Sequence, residues 1–410
     1  MIRVYSQVMA GHKVQIRAAV YVFCALAGAS ASATDRARDL DIPFDGRPGA
    51  LNSITDVAGI AVGHTTLISA KGSLKKGKGP IRTGVTVIQP RIDPVLEGVF
   101  AGWFTLNSSG EMTGTTWINE RGILDGPIAI TNTHSVGVVR DSLVAWMVDQ
   151  GWDAAWHAPV VGETYDGALN DIDGQHVTRE HVYQALESSG TGEIKEGSVG
   201  GGTGMICNGF KGGIGTSSRT FTVAKAEFTL GALVQCNYNW GGQGLRLGGR
   251  FLADILPTGR HCHTDQNIER THAWYPYCES DNDALSANTR DGSIIVVLAT
   301  DAPLLPHQLT RLAKRPSLAL GRLGAISSDG SGDIFLAFST ANNGRIDEYG
   351  LGSVETYPNY HLSTIFRAAV EATEEAIVNA MVAAETMTGA DGLKIEALPK
   401  EVVRQIFASP

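Results

Sequence analysis

A serine directly after a glycine, Gly292-Ser293, stands at the mouth of an apolar run, Ile294-Ile295-Val296-Val297-Leu298-Ala299. A serine hydroxyl is a weak nucleophile at neutral pH and needs a base within hydrogen-bond reach. If the chain cuts itself between Gly292 and Ser293, the new α-amino group, with an unperturbed pKa of about 7.7–8.0, supplies that base on the same residue. Nucleophile and base then arrive together, without a histidine, and the chemistry is that of an amide hydrolase. Glycine before the serine suits self-cleavage, because it tolerates strained backbone angles and puts no Cβ in the way of attack on its carbonyl. The competing reading is that Gly-Ser only turns the chain into a strand.

Other residues with chemical potential lie far off in sequence. Ser331 and Asp333 are two apart at the start of a second apolar run, 334–338, so both point to one side of a strand or simply form a turn. Glu163, Tyr165, Asp166, Asn170 and Asp171 crowd the end of a short strand at 160–162. They read either as a hydrogen-bonded loop or as a carboxylate for a substrate ammonium with a phenol close by. Asn237 falls just past the end of a hairpin read at 220–223 and 228–235. The glycine loop 197–205 lacks the Lys-Ser/Thr of a phosphate-binding loop, and close backbone approach explains it better.

The elements that must position these groups are mostly strands. The β-branched run after Ser293 reads as a strand buried on both faces. Further strands are expected within 52–64, 83–88 and 128–132, with helices at 138–150, 176–187, 303–322 (kinked at Pro316) and 362–387. The last carries Ile365, Ala369, Ala372, Ala376, Ala380 and Ala383 on one face, small enough for close packing. Residues 249–290 are polar, lack periodicity and read as a long irregular, mobile segment that ends at the presumed cut. No internal repeat or linker divides the chain.

Composition narrows the function classes. The 410 residues are 43% hydrophobic and 18% charged, with 49 glycines, which favours many tight turns. Residues 1–33 hold Arg3, Lys13 and Arg17 before an apolar run at 18–27, and end in Ala31-Ser32-Ala33, the pattern of a cleaved export signal. Without them the formal charge is −12, from 30 basic and 42 acidic residues. No basic stripe favours nucleic acid; Lys71 to Lys78 read as a solvated loop. A soluble exported protein, periplasmic or secreted and with no membrane contact once the signal is removed, is expected. In that oxidising setting Cys262 and Cys278 are the expected disulfide. A metal site from His261, Cys262, His263, His272 and Cys278 is the lesser alternative, since the spacing matches no common zinc pattern.

Several motifs in the same order resemble those of the self-processing aminopeptidases, the L-aminopeptidase/D-amidase-esterase and β-peptidyl aminopeptidase family. They are residues 52–64, 100–117 (AGWF, then GEMTGT), 126–141 (GPIAITNTHSVGVVRD), 160–172 (VVGETYDGALNDI), 196–215, 231–237 (GALVQCN), 292–303 (GSIIVVLATDAP) and 330–339 (GSGDIFLAFS). The resemblance implies an α/β fold, a four-layer α/β/β/α sandwich like that of N-terminal-nucleophile hydrolases but with distinct connectivity. It implies self-cleavage at Gly292-Ser293 into chains 34–292 and 293–410 that form one domain, and assembly as a tetramer of such heterodimers. It implies Ser293 as nucleophile, Ser331 and Asp333 as partners of its hydroxyl and amine, and Asn237 as oxyanion donor. Glu163 would receive the free amine of a small peptide, amide or ester, Tyr165 would be the nearby phenol, and no metal or organic cofactor would be needed. Two departures concern specificity: Asn239 where the family has glycine, and the length of residues 249–290. An acyltransferase on a related architecture, expected to carry threonine at this position, and an uncut non-catalytic binding protein are the rival readings.

Overall fold

Two β-sheets lie face to face, and the strand Ser293–Thr300 runs through the middle of the larger one. The structure, a computed structural model, describes residues 35–92, 98–152, 156–256, 261–271, 275–278, 292–342 and 351–408. The expected export signal at 1–33, with Cys24, and also His272 lie outside the described residues. The larger sheet has the strand order Ile123–Leu124, Val99–Ser108, Gly332–Ser339, Ser293–Thr300, Ala226–Asn237, Gly213–Val223. Within it only Ser293–Thr300 and Gly332–Ser339 pair in parallel. The smaller sheet runs Ala61–Ser69, Ile81–Gln89, Ile128–Asn132, Val160–Thr164, and its last pair is parallel.

Every residue of Ser293–Thr300 is buried. Ile294, Val296 and Leu298 enter the core beneath one layer of helices, while Ile295, Val297 and Ala299 enter the core between the sheets. With no polar face to present, such a strand is written as a continuous apolar run. Val62, Ile88, Ile130 and Val160 meet Leu233, Ile295 and Leu336 in the inter-sheet core. Helices Val136–Asp149 and Arg179–Glu187 cover the outside of the smaller sheet, and Pro306–Ala313, Pro316–Arg322 and Leu362–Val382 cover the larger. The order of layers is α/β/β/α, as the resemblance implied. The alanine face of Leu362–Val382 allows a close seat: a Cβ on Gly215 would lie 2.8 Å from the Ala380 Cβ and inside the Ala376 carbonyl, so both partners stay small.

Some local expectations need correction. The strand expected within 52–64 starts only at Ala61, because Ser53 and Asp56 cap a 3₁₀ turn over Ile54–Asp56. The expected kink at Pro316 is a break into two helices, since proline has no N–H to donate and is preorganised for a new first turn. The helix read to 387 ends at Val382. The hairpin strands are longer than read, so Asn237 is the last residue of its strand. Residues 249–290 are not wholly free of structure. Cys262–His263 pairs with Leu393–Ile395, His263 Nδ1 bonds the Asp391 carbonyl, and the Asp391 carboxylate accepts from Thr271 N.

Candidate active site

The two parallel central strands start side by side, which brings residues 40 apart in sequence to one point. Ser293 lies opposite Asn237 across one pairing, and Ile294 lies opposite Asp333 across the other. Ser293 is only 6% exposed. Its Oγ accepts from the Gly332 backbone N–H at 3.1 Å. The Ser331 hydroxyl lies 2.8 Å from the Gly292 carbonyl oxygen and 2.6 Å from Asp333 Oδ1. One hydroxyl proton serves one acceptor at a time, so the Ser331 hydroxyl can donate either to the buried Asp333 carboxylate or to the carbonyl that precedes Ser293. In the continuous chain, then, Ser331 lies within reach of both, and the Ser293 hydroxyl is met by Gly332 N–H.

Gly292 sits where only glycine fits. A side chain there would put its Cβ within the Asn237 carbonyl oxygen and the Trp240 indole nitrogen. The indole N–H donates to that same carbonyl at 3.1 Å, and the ring lies 6.3 Å from the Tyr165 ring at 31°. Trp240 is thus a wall of the site, set there by its bond to the Asn237 carbonyl and its packing beside Tyr165. Asn237 itself is fully buried: Oδ1 accepts from Ile206 N at 2.9 Å and Nδ2 donates one proton to the Tyr165 carbonyl at 2.9 Å, which leaves a second amide proton.

Glu163, at the end of the smaller sheet, faces the same gap. Its Oε1 accepts from Glu111 N at 2.9 Å and its Oε2 from the Thr133 hydroxyl. Gly110 links it to the rest: a Cβ there would be 3.0 Å from Glu163 Oε1 and 3.5 Å from the Gly332 Cα. Burial is the largest influence on the Glu163 carboxyl and raises its pKa, against the two hydrogen bonds that pull it down. Thr133 and the Glu111 N–H were missed, since neither residue type nor spacing marks them. Asp166, next to Tyr165, turns away into a buried cluster with Asn132 and Asn170, and burial pushes its carboxyl up to about 6.

Two disulfides flank the site. Cys262–Cys278 joins the pair expected from sequence. Cys207–Cys236 was not anticipated; both sulfurs are buried, and the bridge couples the neighbour of Ile206 to the neighbour of Asn237. Closing a loop across a separation of 29 residues is worth about 3–4 kcal/mol in the chain-entropy model. In the uncut Ser293→Ala chain, replacing both by alanine is expected to lower unfolding free energy by about that amount, read from denaturant midpoints. An unchanged midpoint would mean the sulfurs are not joined. Among the described residues no three metal-ligating side chains converge.

The model of peptidase family S58 matches residues 52–395. A β-peptidyl aminopeptidase BapA from Sphingosinicella microcystinivorans is 51% identical over 93% of this chain and 94% of its own. A second BapA, from Sphingosinicella xenopeptidilytica, is 42% identical over 93% of each. Among solved structures, the L-aminopeptidase D-Ala-esterase/amidase of Ochrobactrum anthropi, described as a new variant of the N-terminal-nucleophile hydrolase fold, superposes with a TM-score of 0.80. It is 42% identical over 91% of this chain and 98% of that one. A Burkholderia β-aminopeptidase superposes with a TM-score of 0.78 at 44% identity, over 91% of this chain and 98% of its own.

Proposed function

The chain belongs to peptidase family S58 and is a hydrolase of the aminopeptidase and amidase type; from that premise we propose that it cuts itself between Gly292 and Ser293 and works through Ser293. The observation that carries the reading is the Gly292 carbonyl held by Ser331 beside the Ser293 hydroxyl. In self-cleavage the Ser293 Oγ attacks the Gly292 carbonyl carbon, the C–N bond breaks and an ester forms on Oγ. Water then releases the Gly292 carboxylate and leaves Ser293 with a free amine. In turnover that amine takes the Oγ proton as Oγ attacks the substrate carbonyl. The amine next gives the proton to the leaving nitrogen, and water frees the acyl group. The Asn237 amide meets the oxyanion, Ser331 and Asp333 hold the amine and hydroxyl, Glu163 pairs with the substrate's ammonium, and Tyr165 with Trp240 walls the acyl group.

Gly292 also supports an acyl preference. The ester formed in self-cleavage is chemically an acyl-enzyme whose acyl residue is Gly292. An L-side chain on its Cα collides with the Asn237 carbonyl and Trp240. A β-aminoacyl group carries a CH₂ at that atom and avoids the collision, in line with the β-peptidyl relatives. Overpacking of 1–3 kcal/mol corresponds to roughly a 5- to 150-fold preference in kcat/KM for β-alanyl or β³-homoalanyl amides over the L-alanyl amide. Equal values for the two would remove that preference.

The test of the main reading is intact mass with N-terminal sequencing of the purified protein. Two chains, one beginning Ser293-Ile294-Ile295, are expected; a single chain that still hydrolyses aminoacyl amides would refute the mechanism. We also propose action outside the cytoplasm, supported by two disulfides, and assembly as a tetramer of processed heterodimers, measurable by light scattering.

A further inference from the structure

Lys211 is a fully buried cation that the chemistry described so far does not use. A tight turn at Asn208-Gly209, with φ of 50° and 79°, joins Ile206–Cys207 to Phe210–Lys211 and sets Lys211 opposite Ile206. The Lys211 Nζ donates to the Met205 carbonyl at 2.8 Å and to the Gly212 carbonyl at 2.9 Å. Its direct partners are thus carbonyls and not a carboxylate, an expensive way to bury an ammonium unless the charge has a use.

The Met205 carbonyl belongs to the same peptide group as the Ile206 N–H, and that N–H donates to Asn237 Oδ1 at 2.9 Å. Ile206 N can only donate and the Tyr165 carbonyl can only accept, so the Asn237 amide faces one way alone. Three groups therefore stand head to tail: the Lys211 ammonium, the 205–206 peptide and the Asn237 amide, whose second N–H is left for an oxyanion. Donation to an amide oxygen draws electrons from the amide nitrogen and strengthens the N–H beyond it, by roughly 10–30% per bond. Position is secured by other means. Gly212 N–H also donates to the Met205 carbonyl, at 2.8 Å, and the Cys207–Cys236 bridge ties the next residues together. What Lys211 adds is positive charge.

Building on the aminopeptidase reading above, we propose that Lys211 strengthens Asn237 as the oxyanion donor through the Met205–Ile206 peptide, without touching the substrate itself. No proton crosses the chain of bonds; each N–H keeps its hydrogen and only becomes a better donor. Burial lowers the Lys211 pKa to about 7, and the nearby Asp166 carboxylate acts to raise it. A negative charge forming beyond Asn237 acts in the same direction as Asp166, so the ammonium is favoured as the oxyanion appears.

The experiment measures kcat and KM for β-alanyl-p-nitroanilide in wild type, Lys211→Met, Asn237→Ala and the double variant, per cut chain as counted by intact mass. Before the cut the Gly292 carbonyl has Ser331 within reach, so all four are expected to mature. Asn237→Ala is expected to lower kcat about 10²–10³-fold. Lys211→Met is expected to lower kcat about tenfold with KM held within twofold, since the ground-state carbonyl bears little charge. In the Asn237→Ala background the same change is expected to cost less than twofold, which a general disturbance of the fold would not produce. A tenfold loss in both backgrounds, or in neither, overturns the proposal, and so does a folded Lys211→Met chain that stays uncut. If Lys211→Met does not fold, Lys211→Gln takes its place, with an N–H for the carbonyls but no charge. Failure of both to fold assigns Lys211 to the fold and overturns the proposal too. Full kcat in Asn237→Ala would fail the oxyanion reading itself. A loss there with none in Lys211→Met would fail the role of Lys211 alone.

Discussion

Ser293→Ala is expected to leave the chain uncut and to lower turnover of a β-aminoacyl amide by on the order of 10⁶, the loss found when a hydrolase is stripped of its serine nucleophile. The substitution removes one oxygen, and with it both reactions at once. Without Oγ nothing adds to the Gly292 carbonyl, so no ester forms and no free amine appears at residue 293. The fold should barely notice. Residue 293 is buried at a strand start, and the loss is one hydrogen bond from Gly332 N–H, about 1 kcal/mol. Mass spectrometry, a thermal melt and an amidase assay on the same sample decide the matter. A variant that folds, stays uncut and keeps more than a tenth of the activity would show that another group carries the chemistry.

Glu163→Gln should separate function from stability. In the free enzyme the carboxylate is buried and its pKa is raised, so the folded chain binds that proton more readily than the unfolded chain does. The sign follows by linkage: stability falls as pH rises from the unfolded value towards the raised one, and the full cost of the buried charge is present above it. A glutamine carries no such cost, and the Thr133 hydroxyl can turn from donor to acceptor to meet its amide. At pH 7–8 the variant should therefore melt higher than the wild type. Its kcat/KM should fall by 2–5 kcal/mol, roughly 30- to 5,000-fold, because the substrate's ammonium enters without its partner. The acid limb should change too, from two protonations, at Glu163 and at the Ser293 amine, to the amine alone. A variant neither more stable nor slower would assign Glu163 a different role.

The residues themselves made part of this legible. The run after Ser293 has no polar alternation, and only a strand covered on both sides tolerates that; this is where it was found. The two-residue spacing of Ser331 and Asp333 was also readable, although the hydrogen bond from one to the other, with the Gly292 carbonyl in reach, was not. Glu163 and Tyr165 stood out locally as part of an acidic crowd at a strand end, readable as a loop or as a site, whereas the role of Asn237 entered only through the family resemblance, since nothing local marks an amide as part of a site assembled from both sheets. Trp240 and Cys207–Cys236 escaped because their partners are set by the pairing of distant strands, which spacing does not encode. Where local rules competed, as at Ser53 and Pro316, capping and the missing proline N–H won over periodicity.

The order of strands in the larger sheet has a consequence for how the protein comes apart. Reading across it, two strands from before residue 293 are followed by two from after it and then by two from before it. A cut at Ser293 leaves the later pair wedged between strands of the other fragment, so neither product keeps a continuous sheet alone. Unfolding of the cut protein then turns one particle into two, and its reversal is a second-order event. The uncut Ser293→Ala chain should refold at a rate independent of concentration, while the cut protein should recover more slowly as it is diluted. Maturation would make denaturation close to a one-way step, and lifetime rather than equilibrium would measure how robust the working enzyme is.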